Sequence, residues 1–270
     1  MRRNILTIDV EDWCQGNAYV PLHDVSRYES RIEPSIDRLL AILDEYGVRA
    51  TFFVLGHIAE SHPALTRRLH DAGHEVGTHG YSHDLAYRQT RQTFAEELRR
   101  SLAACEDATS ARVLGHRASN WSVTARSLWA LDVVHEAGLR YDSSIFPVRT
   151  RLYGIPGRPR HVHRLPTGLL EVPPSTVRVA GRTIPFSGGF FLRALPYAFI
   201  RWAIRRVNAE GHPAVVYLHP WELDTSQPRD LDIPFTGRVI HYLNLSTTER
   251  KLRALCSSFP FGPVREVVPL

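Results

Sequence analysis

The stretch ILTIDVEDW, residues 5–13, is where the interpretation of this chain begins. Its first six residues form a largely apolar run of the length expected for a buried strand, and acidic residues follow at once. Further along the chain, similar runs alternate with amphipathic helical patterns, the first of them starting near Pro34. The later predicted strands cover residues 50–55, 75–78, 113–114 and 214–218. This alternation predicts an α/β fold with a parallel sheet covered by helices.

The positions of polar side chains favour a barrel over an open doubly wound sheet. They follow the C-terminal ends of the predicted strands, where barrel enzymes build their active sites. No glycine-rich phosphate-binding sequence follows the first strand, which argues against a dinucleotide-binding fold. Residues 177–184 predict a small hairpin, and residues 247–257 predict a helix. We expect residues 1–222 to form the barrel and residues 223–270 to form a C-terminal extension packed on the same domain.

Two clusters contain the residue types of a metal site. Asp9, Glu11 and Asp12 place three carboxylates within four residues, and such charges repel one another unless a cation or an arginine lies among them. His79 and His83 are four residues apart, a spacing that can bring two imidazoles to one metal ion. Each cluster alone also has an ordinary explanation, because acidic turns and pairs of surface histidines are both common.

Two further polar residues follow other predicted strands. Arg117 lies after the short run at residues 113–114, and an arginine there can hold a carboxylate ionised through two parallel hydrogen bonds. His219 follows the apolar run 214–218 and precedes Pro220. In a barrel all of these strand ends converge on one mouth, so the clusters together indicate a single active site.

Composition limits the class of protein. Hydrophobic residues make up 43% of the chain and charged residues 23%, values typical of a soluble globular domain. No run approaches the roughly 18 apolar residues of a membrane-spanning helix. The basic N-terminus meets Asp9 before an apolar signal region develops, so we expect a cytoplasmic protein. Cys14, Cys105 and Cys256 match no metal-binding or paired pattern and predict free thiols.

The net charge of +5 raises the question of an anionic partner. The basic residues are almost all arginine, with Lys251 the one lysine, and they are scattered rather than gathered in a tail or a nucleic-acid motif. Nucleic acid is therefore not an expected partner. An anionic substrate, or peripheral contact with a membrane surface, agrees with the charge.

The motifs resemble those of the NodB-homology polysaccharide deacetylases, carbohydrate esterase family four. The resemblance covers roughly residues 5–220, and its most specific parts are HGYSH at residues 79–83 and LHP at residues 218–220. It is most similar to a branch found in exopolysaccharide gene clusters of exosortase-bearing bacteria, which shares the sequence HPWE at residues 219–222. The resemblance implies a distorted (β/α) barrel of about seven parallel strands.

The resemblance also implies one divalent metal ion held by His79, His83 and a carboxylate. Zinc is the default for this set of ligands, with cobalt, nickel or manganese as alternatives. The carboxylate is Glu11 if the first motif follows the pattern of the related allantoinase-like branch, and strand alternation agrees because residues 9 and 11 point to one face. Asp12 is the alternative ligand if the strand ends earlier.

The same resemblance implies roles for other residues. Asp9 is the general base, oriented and kept ionised by Arg117. His219 is the acid that protonates the departing amine, and Asp142 is expected to hold it in the protonated state. Four aromatic residues near these turns are candidate walls of a sugar subsite: Trp13, Tyr81, Trp121 and Trp221.

The expected function is removal of N-acetyl groups from amino-sugar units of an exopolysaccharide or of its lipid-linked precursor. A cytoplasmic location favours the precursor, at the inner face of the membrane. Two alternatives stay open, a cyclic-amide hydrolase of the allantoinase-like kind and an inactive carbohydrate-binding scaffold. The complete set of Asp9, His79, His83, Arg117 and His219 argues against the scaffold.

Overall fold

The chain folds around one curled, mostly parallel sheet, seen in a computed structural model that describes residues 2–16, 20–150 and 153–270. The strands are β1 (Asn4–Val10), β2 (Thr51–Val54), β3 (Glu75–Thr78), β4 (Gly115–His116), β5 (Tyr141–Asp142), β6 (His163–Arg164), β7 (Leu170–Glu171), β8 (Thr176–Val179), β9 (Arg182–Pro185), β10 (Val215–Leu218) and β11 (Phe261–Gly262). The helices are α1 (Leu22–Val25), α2 (Ile32–Glu45), α3 (Gly56–Ser61), α4 (Pro63–Asp71), α5 (Arg91–Thr109), α6 (Trp129–Glu136), α7 (Phe190–Ala194), α8 (Tyr197–Ala209), α9 (Phe235–Tyr242), α10 (Thr248–Ser258) and α11 (Val264–Val267).

The large sheet has the strand order β10-β1-β2-β3-β4-β5-β7-β6, and β11 also pairs with β1. Every neighbouring pair is parallel except β6 with β7, so seven consecutive strands from β10 to β7 run in one direction. The predicted distorted (β/α) barrel of about seven parallel strands is confirmed.

The two faces of β1 show how the strands are sandwiched. All seven of its residues are buried. Leu6, Ile8 and Val10 belong to the main apolar core, which also contains the buried stripe of α2. Ile5 packs in a smaller cluster with Phe53 on the opposite, inner face of the curled sheet. Because side chains alternate along a strand, the inner face continues through residues 7 and 9 toward the C-terminal end.

The second half of the chain contains the predicted hairpin and the predicted late helix. β8 and β9 are joined by Ala180 and Gly181, both with positive φ, as a tight two-residue hairpin requires. The late helix is α10. Beyond residue 222, β11 pairs with β1 and α9 lies beside the strand ends. The boundary between residues 1–222 and 223–270 stays a prediction.

Two predictions from composition can be compared with the structure. Cys14, Cys105 and Cys256 are free and buried, as expected, and burial raises the pKa of each thiol to about 12. Within the described ranges, no helix combines the length and the apolar character needed to span a membrane.

Candidate active site

The C-terminal ends of four strands bring the predicted residues to one mouth. Asp9 is the second-last residue of β1, and His79 follows β3 directly. Arg117 comes directly after β4, and His219 directly after β10. Because these strands are parallel, their carboxyl ends lie at the same end of the curled sheet. The four polar clusters therefore meet although they are far apart in sequence.

Glu11, His79 and His83 form a buried cluster. Glu11 Oε1 lies 3.1 Å from His79 Nε2 and 3.0 Å from His83 Nε2. One ligand atom from each of the three residues lies within 4.8 Å of the others. Among the residues that the structure describes, this is the group of histidine, cysteine and acidic side chains that could hold a metal ion.

The two histidines reach the cluster from a loop rather than from a helical turn. β3 ends at Thr78, and the chain then turns back through positive φ angles at Gly80 and His83, of 77° and 69°. The Ser101 hydroxyl donates to the Gly80 carbonyl at 2.9 Å and steadies this loop from α5. A tight turn after β3, rather than a helix, therefore brings the two histidines, four residues apart, to the same carboxylate.

The hydrogen bonds of His79 make the cluster suitable for a cation. Its Nδ1 lies 2.7 Å from the Arg117 carbonyl oxygen, which can only accept, so Nδ1 carries the proton. When His79 is neutral, its Nε2 lone pair faces the Glu11 carboxylate, an arrangement that repels unless a cation lies between them. Two imidazole nitrogens and one carboxylate oxygen are the ligands of many catalytic zinc sites. The residues present therefore fit a divalent metal.

Asp12, the alternative metal ligand, has its carboxylate in other hydrogen bonds. Oδ1 accepts from the Trp13 backbone N–H at 2.7 Å, and both oxygens accept from the Arg31 N–H at 3.2 Å. Burial raises the pKa of Asp12, against these hydrogen bonds. The group that could hold a metal contains Glu11 and not Asp12. Of the two alternatives, the geometry therefore favours Glu11.

Arg117 holds Asp9 by a single buried contact. Its NH1 donates to Asp9 Oδ1 at 2.6 Å and to Thr7 Oγ1 at 2.9 Å. Its Nε and NH2 are both directed to the Ser143 hydroxyl. The expected two-bond clamp is therefore wrong in detail, because half of the guanidinium is used to anchor Arg117 to the end of β5. The contact still leaves Asp9 Oδ2 free of the arginine.

His219 lies between acidic groups. Its Nε2 is 3.9 Å from Asp9 Oδ2 and 3.9 Å from Glu11 Oε2. Its Nδ1 is 3.1 Å from Glu222 Oε2, which also accepts from the His219 backbone N–H at 3.0 Å. Burial lowers the pKa of His219, but the neighbouring carboxylates, Glu11 first and then Glu222, raise it to about 9.

The expected pairing of Asp142 with His219 is corrected by the structure. Asp142 Oδ1 lies 2.6 Å from His116 Nδ1 and accepts from the Ser144 hydroxyl at 2.8 Å. The partner of His219 is Glu222, which the sequence reasoning missed. An acidic residue three positions after a histidine, across a proline-containing turn, is the signal that could have identified it, because its side chain can reach back to the start of the turn.

A cleft of about 240 Å³ opens onto these residues. Asp9, Glu11 and His219 form its polar floor. Its walls are rich in aromatic side chains, namely Trp121, Tyr153, Phe190, Tyr217 and Trp221. A polar floor between aromatic walls is suited to a sugar ring, which presents hydroxyl groups at its edge and an apolar face.

The four aromatic residues proposed from the sequence divide into two groups. Trp121 and Trp221 line the cleft as predicted. Trp13 is buried elsewhere, with its indole N–H donating to the Glu29 carbonyl at 3.0 Å. Tyr81 lies under the Arg100 guanidinium and donates its hydroxyl to Glu60. Trp13 and Tyr81 do not line the cleft.

Comparison with family models divides the chain into two parts. Residues 26–141 match the family described as polysaccharide deacetylase. Residues 143–269 match a domain of unknown function, DUF3473. His79 and His83 lie in the first part, Glu11 precedes it directly after β1, and His219 belongs to the second part.

Similar curated proteins are deacetylases of peptidoglycan. The peptidoglycan deacetylase of Helicobacter pylori is 33% identical over 122 residues, which are 45% of this chain and 41% of that protein. The peptidoglycan-N-acetylmuramic acid deacetylase PdaA of Bacillus subtilis is 34% identical over 71 residues, 26% of each chain. The chain therefore matches less than half the length of these relatives. The family match and these relatives together show that part of the chain, residues 26–141 in the family match, is similar to polysaccharide deacetylases.

Solved structures share the fold at low identity. A protein of Mycobacterium smegmatis assigned to the polysaccharide deacetylases superposes with a TM-score of 0.64 and 21% identity, over 97% of this chain and 87% of its own. The Puue allantoinase gives 0.60 and 15%, over 96% and 85%. A carbohydrate esterase family four pseudoenzyme of Bacillus anthracis gives 0.53 and 16%, over 98% and 65%. At these identities the likeness shows the fold alone.

Proposed function

We propose that this protein is a metal-dependent hydrolase that removes N-acetyl groups from amino-sugar units of an exopolysaccharide or of its lipid-linked precursor. The observation that carries the proposal is the convergence of the Glu11–His79–His83 cluster, an arginine-bound carboxylate and His219 at one end of the sheet, where Asp9, Glu11 and His219 line an aromatic cleft. The similarity to peptidoglycan deacetylases supports the substrate class.

Glu11, His79 and His83 would hold the metal ion, with zinc as the default. When bound, a divalent ion supplies a Lewis acid for the acetyl carbonyl and lowers the pKa of a water molecule toward neutrality. The protein contributes the position of the ion, because all three side chains are buried and His79 is fixed through its hydrogen bond to the Arg117 carbonyl.

Asp9 and His219 would move the protons. Asp9 Oδ1 accepts a hydrogen bond from Arg117, so Oδ2 is the oxygen available to take a proton from the attacking water. The water oxygen forms a bond to the acetyl carbon, and the bond from that carbon to the sugar nitrogen breaks. His219 Nε2 gives its proton to the departing nitrogen, because an unprotonated amide anion is too basic to leave. The products are acetate and a free amino sugar.

Acetate release from N-acetylated substrates tests this proposal directly. Purified protein, stripped of metal and then supplied with zinc, is incubated with N-acetylglucosamine oligosaccharides and with peptidoglycan fragments, and acetate and free amine are measured. We expect zinc-dependent release of the two products in equal amounts. Opening of allantoin without acetate release would favour a cyclic-amide hydrolase. Sugar binding without any turnover would favour a binding scaffold.

We also propose that the protein makes peripheral contact with a membrane surface, where a lipid-linked substrate would be found. The exposed side of α9 supports this contact, because Phe235 is 79% exposed and Val239 and Ile240 are each 47% exposed. Ile240 lines the cleft, so this apolar surface continues to the site. Arg238 on the same helix is exposed and can face anionic lipid, although Asp232 lies nearby in sequence.

Co-sedimentation with vesicles tests the membrane contact. Wild-type protein is expected to bind vesicles that contain anionic lipid, and Phe235→Ser combined with Val239→Ser is expected to abolish binding. Trp202→Ser is the matched control, because Trp202 is a similarly exposed apolar side chain on α8, 44% exposed. Equal loss of binding in the control, or no binding by the wild-type protein, would contradict the assignment to α9.

A further inference from the structure

Glu222 is a buried carboxylate with two different neighbours. Its side chain has no exposed surface, and its Oε2 holds both the backbone N–H and Nδ1 of His219. Burial by itself raises the pKa of Glu222, but the positive charges of Arg193 and His219 lower it to about 2. An ionised carboxylate at this depth needs a fixed counterion. The nearest one is Arg193.

Arg193 comes from α7 and reaches Glu222 from the side opposite to His219. Its Nε donates to Glu222 Oε1 at 2.6 Å, while His219 is bound by the other oxygen. Only 2% of Arg193 is exposed. The two oxygens of one carboxylate therefore join the proposed catalytic histidine to an arginine that lies 26 positions earlier in the sequence.

The rest of the Arg193 guanidinium holds the C-terminal end of α9. Its NH1 lies 3.0 Å from the Ile240 carbonyl oxygen and 2.8 Å from those of His241 and Leu243. The last turn of a helix has carbonyl groups without helical partners and attracts a cation. Gly237, Ile240 and His241 of the same helix line the cleft. The Arg193 guanidinium thus contacts both Glu222, which binds His219, and α9, which forms a wall of the cleft.

Lys251 secures α7 itself. Its Nζ lies 2.8 Å from the carbonyl oxygens of Leu192 and Arg193 and 2.9 Å from that of Leu195. The chain thus places its single lysine where it fixes the backbone that carries Arg193. The support of Arg193 is therefore built from α10 as well as from α7.

We propose that Arg193 is a positioning residue that sets the orientation of His219, through Glu222, together with the position of the cleft wall formed by α9. This inference rests on the proposed function, since it gives His219 the task of protonating the leaving nitrogen. It also assigns a role to part of the segment that matches a domain of unknown function: residues 143–269 would hold the acid group and shape the cleft around it.

Two substrates with different leaving groups can show whether Arg193 positions His219 or only stabilises the fold. Hydrolysis of an N-acetylglucosamine oligosaccharide needs a proton at nitrogen, whereas 4-nitrophenyl acetate releases a stable phenolate without one. The variants are Arg193→Met, Arg193→Lys and Glu222→Gln, and the matched control is Arg201→Met, because Arg201 is exposed on α8. Metal content and melting temperature are measured for every variant.

We expect Arg193→Met and Glu222→Gln to lower kcat for the oligosaccharide about 100-fold, and hydrolysis of the aryl ester by less than about threefold, with metal retained. Arg193→Lys should restore most of kcat but raise KM, because one ammonium group cannot hold both Glu222 and the carbonyls of α9. Arg201→Met should behave as wild type.

Equal losses on the two substrates would overturn the inference, and so would full oligosaccharide activity in Arg193→Met. If Arg193→Met does not fold, the split between kcat and KM in Arg193→Lys and the substrate ratio in Glu222→Gln still decide the matter. A wild-type protein that cleaves the aryl ester but releases no acetate from sugars would refute the proposed function, a result distinct from equal losses in active protein.

Discussion

The two sides of the cleft are held in place by different kinds of contact. On the metal side, His79 is fixed by a main-chain group, the carbonyl of Arg117 directly after β4. On the acid side, His219 depends on Glu222, which depends in turn on Arg193. The metal side draws on the regular geometry of parallel strands, and the acid side on a buried network of side chains from distant segments.

This difference has consequences for mutation. A residue held by main-chain groups loses only its own contacts when it is replaced. Removing one member of a buried ion pair leaves the other charged and unpaired, at a cost of about 3–5 kcal/mol. We therefore expect replacement of His79 to leave the surrounding fold intact, and losses of stability on the acid side to spread along the network.

The largest effect is expected from removal of either histidine of the metal cluster. His79→Ala or His83→Ala should abolish metal binding and lower acetate release by more than about 1,000-fold, because both imidazoles face the same Glu11 oxygen. Elemental analysis and acetate release measure the two effects. His23→Ala is the control, since the His23 side chain is 80% exposed. One full metal equivalent in either cluster variant would contradict the assignment.

Replacement of the two neighbouring aspartates should separate proton transfer from support of the loop. Asp9→Asn is expected to lower kcat by about 100- to 10,000-fold with metal retained, as for loss of a general base. Asp12→Asn should change kcat much less, because its carboxylate faces the Trp13 and Arg31 N–H groups. Steady-state kinetics and elemental analysis test the pair. A larger loss of metal in Asp12→Asn than in Glu11→Gln would reverse the choice of ligand.

A third pair of variants tests which carboxylate supports His219. Glu222→Gln should lower kcat for amide substrates, whereas Asp142→Asn should act mainly on stability. Asp142 is buried against His116, and weakening that contact should lower the free energy of unfolding by about 1–3 kcal/mol. Urea unfolding alongside kinetics distinguishes the two outcomes. A kcat loss in Asp142→Asn as large as in Glu222→Gln would restore the original expectation for Asp142.

The smallest expected effect is on the way the free energy of unfolding depends on pH. His74 Nδ1 accepts from the Ala50 N–H at 3.2 Å, and burial lowers the pKa of His74 from 6.5 to about 4. The unfolded chain therefore binds a proton more readily between these pH values, so stability falls as pH falls from 6.5 to 4, by on the order of 2 kcal/mol from this residue. His74→Asn keeps an acceptor and should flatten this part of the curve. His241, with a pKa lowered by burial to about 3, should contribute a similar loss from the acid side.

Urea unfolding of wild type and His74→Asn at several pH values between 4 and 7 measures the contribution of His74. Wild-type stability that does not change across this range would show that neither buried histidine stays neutral in the folded protein. An unchanged slope in His74→Asn would assign the pH dependence to other groups, among which His241 is the first to replace.

Much of the metal side could be predicted because it depends on local rules. The apolar run at residues 5–10 predicts a strand, and alternation along it puts residues 9 and 11 on one face. The structure agrees, with Asp9 bound to Arg117 and Glu11 facing the two histidines. The barrel follows from strand–helix alternation, since parallel strands need crossover connections.

The acid side could not be predicted in the same way, because its contacts join segments with no common pattern. Arg193, Glu222 and the end of α9 come from separate segments that meet only in the folded chain, and no periodicity links them. Asp142 was assigned to His219 by resemblance, yet it pairs with His116, beside it in the β4–β5 register.

The sequence by itself determined which residue types end the strands and on which face of each strand they lie, because backbone geometry repeats every two residues in a strand. The tertiary structure alone decided which buried charges pair. A buried carboxylate takes the cation that packing brings within reach, and that cation depends on the whole fold rather than on distance along the chain. For His219 the decisive neighbours are therefore Glu222 and Arg193.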